Sequence, residues 1–219
     1  MNRAISYIIV FLVFISVLSC KKKIETEKAV TTVSGNENTY YFPVQTDSLD
    51  QKYGYYEEKK LHPELNEIFS EYLRKMNEPI LYNKTDSGYT IRYMFLGEPF
   101  FNPEVYRLQI SATNVSVTNK QLGMKKIGIS DLIPGNAIKD TTFYRDLKWF
   151  KELDNKLNSY NIAFQPTRNE IGLDGVFFIL EVYKNGNYDF VYRWSPTPEN
   201  ESEFIGICQM IEAVYKENK

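Results

Sequence analysis

The sequence predicts an α+β fold: an antiparallel sheet built from hairpins, with about three amphipathic helices packed on it. Three observations lead there. Apolar residues recur at helical spacing in three separate segments. Between those segments, runs that alternate apolar and polar residues lie beside turn-forming residues. The helical and strand-like segments are grouped rather than alternating one by one, which favours hairpins over parallel βαβ units. At 43% hydrophobic and 15% aromatic the chain has enough apolar surface for a real core, which excludes intrinsic disorder for most of its length.

The first helix is expected over about Pro63–Met76. Pro63 suits a first helical turn, Glu64 and Glu67 favour its N-terminus, and Leu65, Ile68, Phe69, Tyr72, Leu73 and Met76 form one stripe. Next, Ile80–Asn83 and Tyr89–Leu96 flank the turn formers Lys84 to Gly88 and read as a hairpin. Tyr106, Leu108 and Ile110 alternate with Arg107 and Gln109, the pattern of a half-buried strand. Pro134, Gly135 and Asn136 mark a loop. A second helix is expected after the capping-type cluster Asp140-Thr141-Thr142, with Phe143, Leu147, Phe150, Leu153 and Leu157 at helical spacing.

Val176–Lys184 and Tyr188–Trp194 form the best-supported hairpin, because Asn185-Gly186 between two β-rich runs favours a tight turn with positive φ. A third helix closes the chain from about Glu201, with Phe204, Ile207, Cys208, Ile211, Val214 and Tyr215 on one face. No repeat of 20–50 residues is present, which argues against solenoids and propellers.

The first twenty residues have a different character. Arg3 is the only charge before Cys20, and Ile8–Ile15 is unbroken apolar sequence ending near small residues, the layout of a secretory signal. Val17-Leu18-Ser19-Cys20 resembles the lipobox of a bacterial lipoprotein signal peptide. That resemblance covers residues 1–20 and implies cleavage between Ser19 and Cys20, with Cys20 becoming a lipidated N-terminus. It also implies a protein of the cell envelope, held by its lipid on a membrane, the outer membrane facing the periplasm being the expected place. Acyl chains contribute about 0.8 kcal/mol per buried methylene, so they hold a protein on a bilayer without a spanning segment. Lys21, Lys22 and Lys23 follow at headgroup level, each cation adding about 1 kcal/mol on an anionic surface. Residues 20–45 then read as a flexible tether, polar and poor in apolar residues until Tyr40-Tyr41-Phe42, leaving residues 46–219 as one globular domain.

With 26 basic and 28 acidic residues the net charge is −2, too balanced for a nucleic-acid face. Chemistry-bearing motifs are few. The only histidine, His62, stands at a helix start and cannot build a multi-histidine metal site. Gly123 to Gly128 has the glycine spacing of a phosphate loop, but Ile129-Ser130 stands where Lys-Ser/Thr is required. If Cys20 is acylated, Cys208 has no disulfide partner, and its apolar neighbours suit a buried small hydrophobe rather than a thiolate. No cofactor is expected.

Glu181 is the acid that stands out, because along a strand it shares a face with Phe177, Ile179 and Tyr183. A buried acid needs a partner, and Arg193 on the paired strand is the natural candidate, with Trp194 beside it completing a possible structural or binding cluster. Asp174-Gly175, Leu180-Glu181, Asn185-Gly186-x-Tyr188 and Arg193-Trp194-Ser195-Pro196 together resemble a pattern recurring in small uncharacterised bacterial proteins, many of them secreted or lipid-anchored. The pattern covers about 25 residues, and the resemblance transfers no catalytic residue.

These readings point to a lipid-anchored envelope protein that binds rather than transforms, with a protein partner in the envelope. An immunity-type lipoprotein neutralising a toxin is a special case. The alternative from another class is an envelope hydrolase using carboxylates. An enzyme of that kind predicts a concave pocket with at least two converging acids, one with a perturbed pKa, whereas a binding module predicts a flatter exposed aromatic patch and paired, ordinary carboxylates.

Overall fold

A computed structural model describes residues 40–44, 60–97, 102–127, 131–166 and 175–216. The lipobox with Ser19 and Cys20, the tether up to Thr39, and the aromatic run Tyr53 to Tyr56 lie outside these residues. The order of elements is α1 (Pro63–Lys75), β1 (Tyr89–Gly97), β2 (Glu104–Ile110), β3 (Val115–Ile127), β4 (Asp131–Arg145), α2 (Leu147–Tyr160), a 3-10 turn (Ile162–Phe164), β5 (Val176–Lys184), β6 (Asn187–Trp194) and α3 (Pro198–Lys216). The fold is α+β, and its six strands form one antiparallel sheet in the order β4-β3-β2-β1-β5-β6.

Topology follows from the chain order. β1 to β4 form a meander that walks to one edge of the sheet. α2 then carries the chain back over one face, so that β5 can pair with the free side of β1, Tyr89 opposite Lys184 and Gly97 opposite Val176. The β5–β6 hairpin turns at Asn185 (φ 51°) and Gly186 (φ 85°), the positive φ pair that matches strand twist.

Both faces of the sheet are buried. On the first, α2 and α3 contribute Phe150, Leu153, Leu157, Phe204, Ile207 and Ile211, which pack on Ile91, Tyr93, Leu108, Val117, Leu180 and Val191. On the second, α1 contributes Leu65, Phe69, Leu73 and its C-cap Met76, packed on Met94, Val105, Ile179, Phe190 and Tyr192. Tyr41 and Phe42 belong to this second core, and Phe42 is held through its carbonyl, which accepts from the buried Asn66 amide at 2.7 Å. Those two aromatic residues are therefore packing residues.

The structure corrects two expected elements. Residues 80–83 are not a strand, and the hairpin partner of β1 is β2. The segment Asp140 to Arg145 is the end of β4 rather than a helix start, and α2 begins only at Leu147, capped by Asp146, whose carboxylate accepts from the Lys148 and Trp149 N–H groups at 2.9 and 3.2 Å. Two threonines and an aromatic pair suit a strand as well as a cap, and Thr118 and Thr142 join across β3 and β4 through their hydroxyls at 3.0 Å.

β3 and β4, neither expected from the sequence, form the longest hairpin. Beyond β2 it continues as a two-stranded arm with register shifts around Leu122. Glycines make that irregularity possible: a Cβ on Gly135 would stand 2.8 Å from the Gly123 carbonyl oxygen. Pro134 is tolerated because β4 is an edge strand. Lys75 at the end of α1 donates to the Pro134 carbonyl at 2.9 Å, tying the arm to the helix.

Candidate functional site

Glu181 lies where its strand alternation places it, fully buried on the face it shares with Phe177, Ile179 and Tyr183. Its partner, however, is Arg92 of β1 and not Arg193. Arg92 Nε and Nη2 donate to the two carboxylate oxygens at 2.5 and 2.8 Å, a bidentate pair, and the Tyr188 hydroxyl donates to Oε1 at 2.9 Å. The reason is register. Glu181 stands directly opposite Arg92 on β1 and opposite Phe190 on β6, while Arg193 stands opposite Phe178 and so projects from the other face.

This pair belongs to a larger buried network. Arg92 and Arg107 are directly opposite one another on β1 and β2, and Lys120 follows on β3, so three cations converge on one face. Such neighbours repel unless an anion stands among them. Glu78 does: its Oε2 is 3.0 Å from Arg107 Nη1 and 3.8 Å from Arg92 Nη1, and its Oε1 is 3.2 Å from Lys120 Nζ. Two of these cations also donate to backbone carbonyls. Lys120 Nζ donates to the Met76 carbonyl at 2.7 Å, and Arg92 Nη1 to the Pro79 carbonyl at 2.6 Å.

Local structure aims Glu78 into the sheet. Asn77 takes the left-handed conformation (φ 52°) just past α1, with Glu78 N–H bonded to the Leu73 carbonyl and Asn77 N–H to the Arg74 carbonyl, a Schellman ending. Lys120 therefore also neutralises the negative end of α1.

Electrostatics agree with ionised partners on the cationic side. Burial works against the Arg92 guanidinium, but the charge and hydrogen bonds of Glu181, with help from Glu78, leave its pKa above the ordinary value. Burial pushes the Glu181 carboxyl up, and Arg92 and Tyr188 offset part of that rise. Burial and the neighbouring Glu181 hold the Tyr188 hydroxyl well above its usual range, so it remains a donor. With no exposed side-chain surface on Arg92, Glu78 or Glu181, the network has no room for a substrate. It fastens α1 to the sheet.

Arg193 and Trp194 have separate structural duties. On the first face, Arg193 Nε donates to Glu201 Oε1 at 2.9 Å and Nη1 to the Pro166 carbonyl at 2.9 Å, its guanidinium 5.8 Å from the Phe204 ring centroid. That holds the start of α3, where Glu201 departs from helical geometry. On the second face, Trp194 packs edge-on against Phe177 with ring centroids 4.4 Å apart. A Cβ on Gly175 would lie 2.5 Å from the Trp194 ring and 2.2 Å from Ser195 Oγ, so only glycine fits there. Gly175, Leu180, Glu181, Asn185, Gly186, Tyr188, Arg193, Trp194 and Ser195 of the C-terminal pattern thus each have a packing, pairing or turn role. Cys208 is buried, and burial pushes its thiol well above the ordinary range, the setting of an inert cysteine. His62 is the N-cap residue of α1 and makes no side-chain capping bond.

The exposed apolar surface lies elsewhere, along β4. Ile133, Ile138 and Tyr144 are 39%, 60% and 70% exposed on a fifteen-residue edge strand. Among the described residues no strand pairs with the outer side of β4, so its outward N–H and C=O groups have no strand partner. Sequence reasoning missed this edge because the Pro134-Gly135-Asn136 run reads as a loop and Asp140-Thr141-Thr142 as a cap. The signal available was the β-branched and aromatic content of Thr141 to Tyr144.

Among the described residues no three His, Cys, Asp or Glu side chains come together in a metal-binding group, and no helix is long and apolar enough to cross a membrane. No known protein family, curated protein or solved structure matches the chain.

Proposed function

We propose that this protein is a lipid-anchored component of the bacterial envelope and works as a non-catalytic interaction module, receiving an extended segment of a protein partner along the outer edge of β4. The observation that carries the reading is that edge: a long strand whose outer side has no strand partner among the described residues, with Ile133, Ile138 and Tyr144 exposed. Strand addition supplies main-chain hydrogen bonds for affinity, and exposed side chains at alternate positions supply selectivity. Most soluble proteins blunt such an edge with charges or bulges. The charges of β4 sit at Asp131, Lys139, Asp140 and Arg145 and its bulge lies near Gly135, which leaves Thr141 to Tyr144 open.

The anchor half of the proposal rests on the Ser19-Cys20 junction, and the buried Glu181 network supports the non-catalytic half, since the acid with a raised pKa is sealed inside the sheet–helix interface. The test is capture of the full chain, Cys20 intact, from gently solubilised envelopes after mild crosslinking. A near-stoichiometric protein is expected with the natural chain and lost from the Ile138→Lys/Tyr144→Lys variant. Undiminished capture by that variant would remove β4 as the docking edge. In parallel, Cys20→Ala should accumulate a heavier precursor that takes up no labelled fatty acid, and unchanged processing would remove the anchor.

A further inference from the structure

At the end of the sheet away from the β3–β4 arm, the first residue of β1 and the last residues of β2 and β5 stand side by side: Tyr89 is opposite Ile110 on one flank and Lys184 on the other. The first turns of α2 cross above them. Between helix and strand ends lies an open groove of about 550 Å³, a size within the range of small-molecule sites. Tyr89, Ile110, Leu147 and Phe150 give it an apolar floor, with the Tyr89 and Phe150 rings edge-to-face at 5.5 Å.

The rim is cationic. Lys148, Lys151 and Lys184 line it against one acid, Asp154, on a protein whose net charge is −2. Asp154 is already engaged: it accepts from the Tyr89 hydroxyl at 2.6 Å and lies 3.4 Å from Lys184 Nζ, which in turn sits 4.4 Å from the Tyr89 ring centroid. Burial and Asp154 raise the Tyr89 hydroxyl pKa, so the phenol stays a donor to that carboxylate and the floor stays uncharged. That leaves Lys148 and Lys151, three residues apart on one side of α2, with no acidic partner among the described residues.

We propose that this groove is a binding site for a single-chain anionic amphiphile, a fatty carboxylate whose two oxygens meet Lys148 and Lys151 while its chain lies on Tyr89, Ile110, Leu147 and Phe150. The complementarity is twofold, an apolar strip for the chain and two uncompensated ammonium groups for the headgroup, and it is independent of the β4 edge.

The test uses the full chain in zwitterionic phosphatidylcholine nanodiscs, titrated calorimetrically with decanoate below its micellar range, with empty discs subtracted. Saturable one-site binding is expected. Both lysines are exposed, so Lys148→Glu/Lys151→Glu should fold normally and bind about tenfold or more weakly. Decyltrimethylammonium, with the same chain and the opposite charge, should not bind. Non-saturable uptake equal to that of empty discs, equal affinity in the double variant, or equal binding of the cationic amphiphile would each overturn the site. Tighter binding of decyl phosphate than of decanoate would overturn the carboxylate assignment.

Discussion

The two faces of the sheet are both buried, yet they are held by different physics. The face under α2 and α3 is an apolar and aromatic core around Leu153, Phe204, Ile207 and Cys208, where area removed from water does most of the stabilising. The face under α1 combines an aromatic core with five charged side chains, Glu78, Arg92, Arg107, Lys120 and Glu181. Apolar contact is non-directional, so it tolerates sliding. The charged network does not, because Arg92 and Glu181 meet through two directed hydrogen bonds and Glu78 is shared among Arg92, Arg107 and Lys120. It locks the C-terminus of α1 over β1, β2 and β3 in one position. The comparison teaches that here charge sets where a helix sits, while apolar burial sets that it sits at all.

The largest effect should come from breaking the charged face in one place. Glu181→Leu leaves Arg92 buried without its bidentate partner and should cost about 3–5 kcal/mol in urea denaturation. Arg92→Leu/Glu181→Leu should recover much of that loss, because no orphaned charge remains. A double variant as unstable as the single one would show that the pair matters for packing rather than for charge balance.

On the apolar face, Leu153→Ala should cost about 2–5 kcal/mol through lost burial and the cavity left behind, and no second substitution of a charge should restore it. Restoration by a charge change would erase the distinction between the faces. A smaller loss, about 1 kcal/mol, is expected for Asp146→Ala, which removes the cap of α2 without touching either core. Hydrogen exchange should rise at the Lys148 and Trp149 amides first.

The smallest effect is a titration at the surface. The Gly88 N–H donates to Asp86 at 2.9 Å and holds its carboxyl below the ordinary carboxylate range, with Lys84 adding to the shift. A carboxyl lowered in the folded state contributes stability that is present above its unfolded pKa and is lost as pH falls through the folded value. NMR titration of the Gly88 amide should therefore give a midpoint below that of a free aspartate, and Asp86→Asn should abolish the step. A midpoint at or above the free value would mean that the turn ahead of β1 lacks this bond.

Local pattern carried much of this protein. The stripe Leu65, Phe69, Tyr72, Leu73 reads directly as α1, and Phe204 to Tyr215 as α3, because an amphipathic helix declares its buried side within its own length. The Asn185-Gly186 turn and the alternation of β5 were legible for the same reason, and they sufficed to put Glu181 on a buried face and Cys208 in a core. β3 and β4 were not legible: Gly123, Pro134 and Gly135 are breakers locally and become bulge residues only when a neighbouring strand is present to pair with.

The sequence by itself determined most of the inward-facing residues of α1, β5 and α3, since side-chain direction follows from a period of two or 3.6 residues, Ile68 on α1 being an exception at 43% exposed. Only the tertiary structure decided who meets whom. Arg92 and Glu181 are 89 positions apart, and Glu78 reaches Arg107 and Lys120 from a helix ending whose place depends on the whole sheet. Register between distant strands is a property of the assembled sheet rather than of any segment, so an ion pair across β1 and β5 has no local signature. The same holds for the groove beneath α2 and for the open edge of β4, which exist only where separate segments come together or fail to.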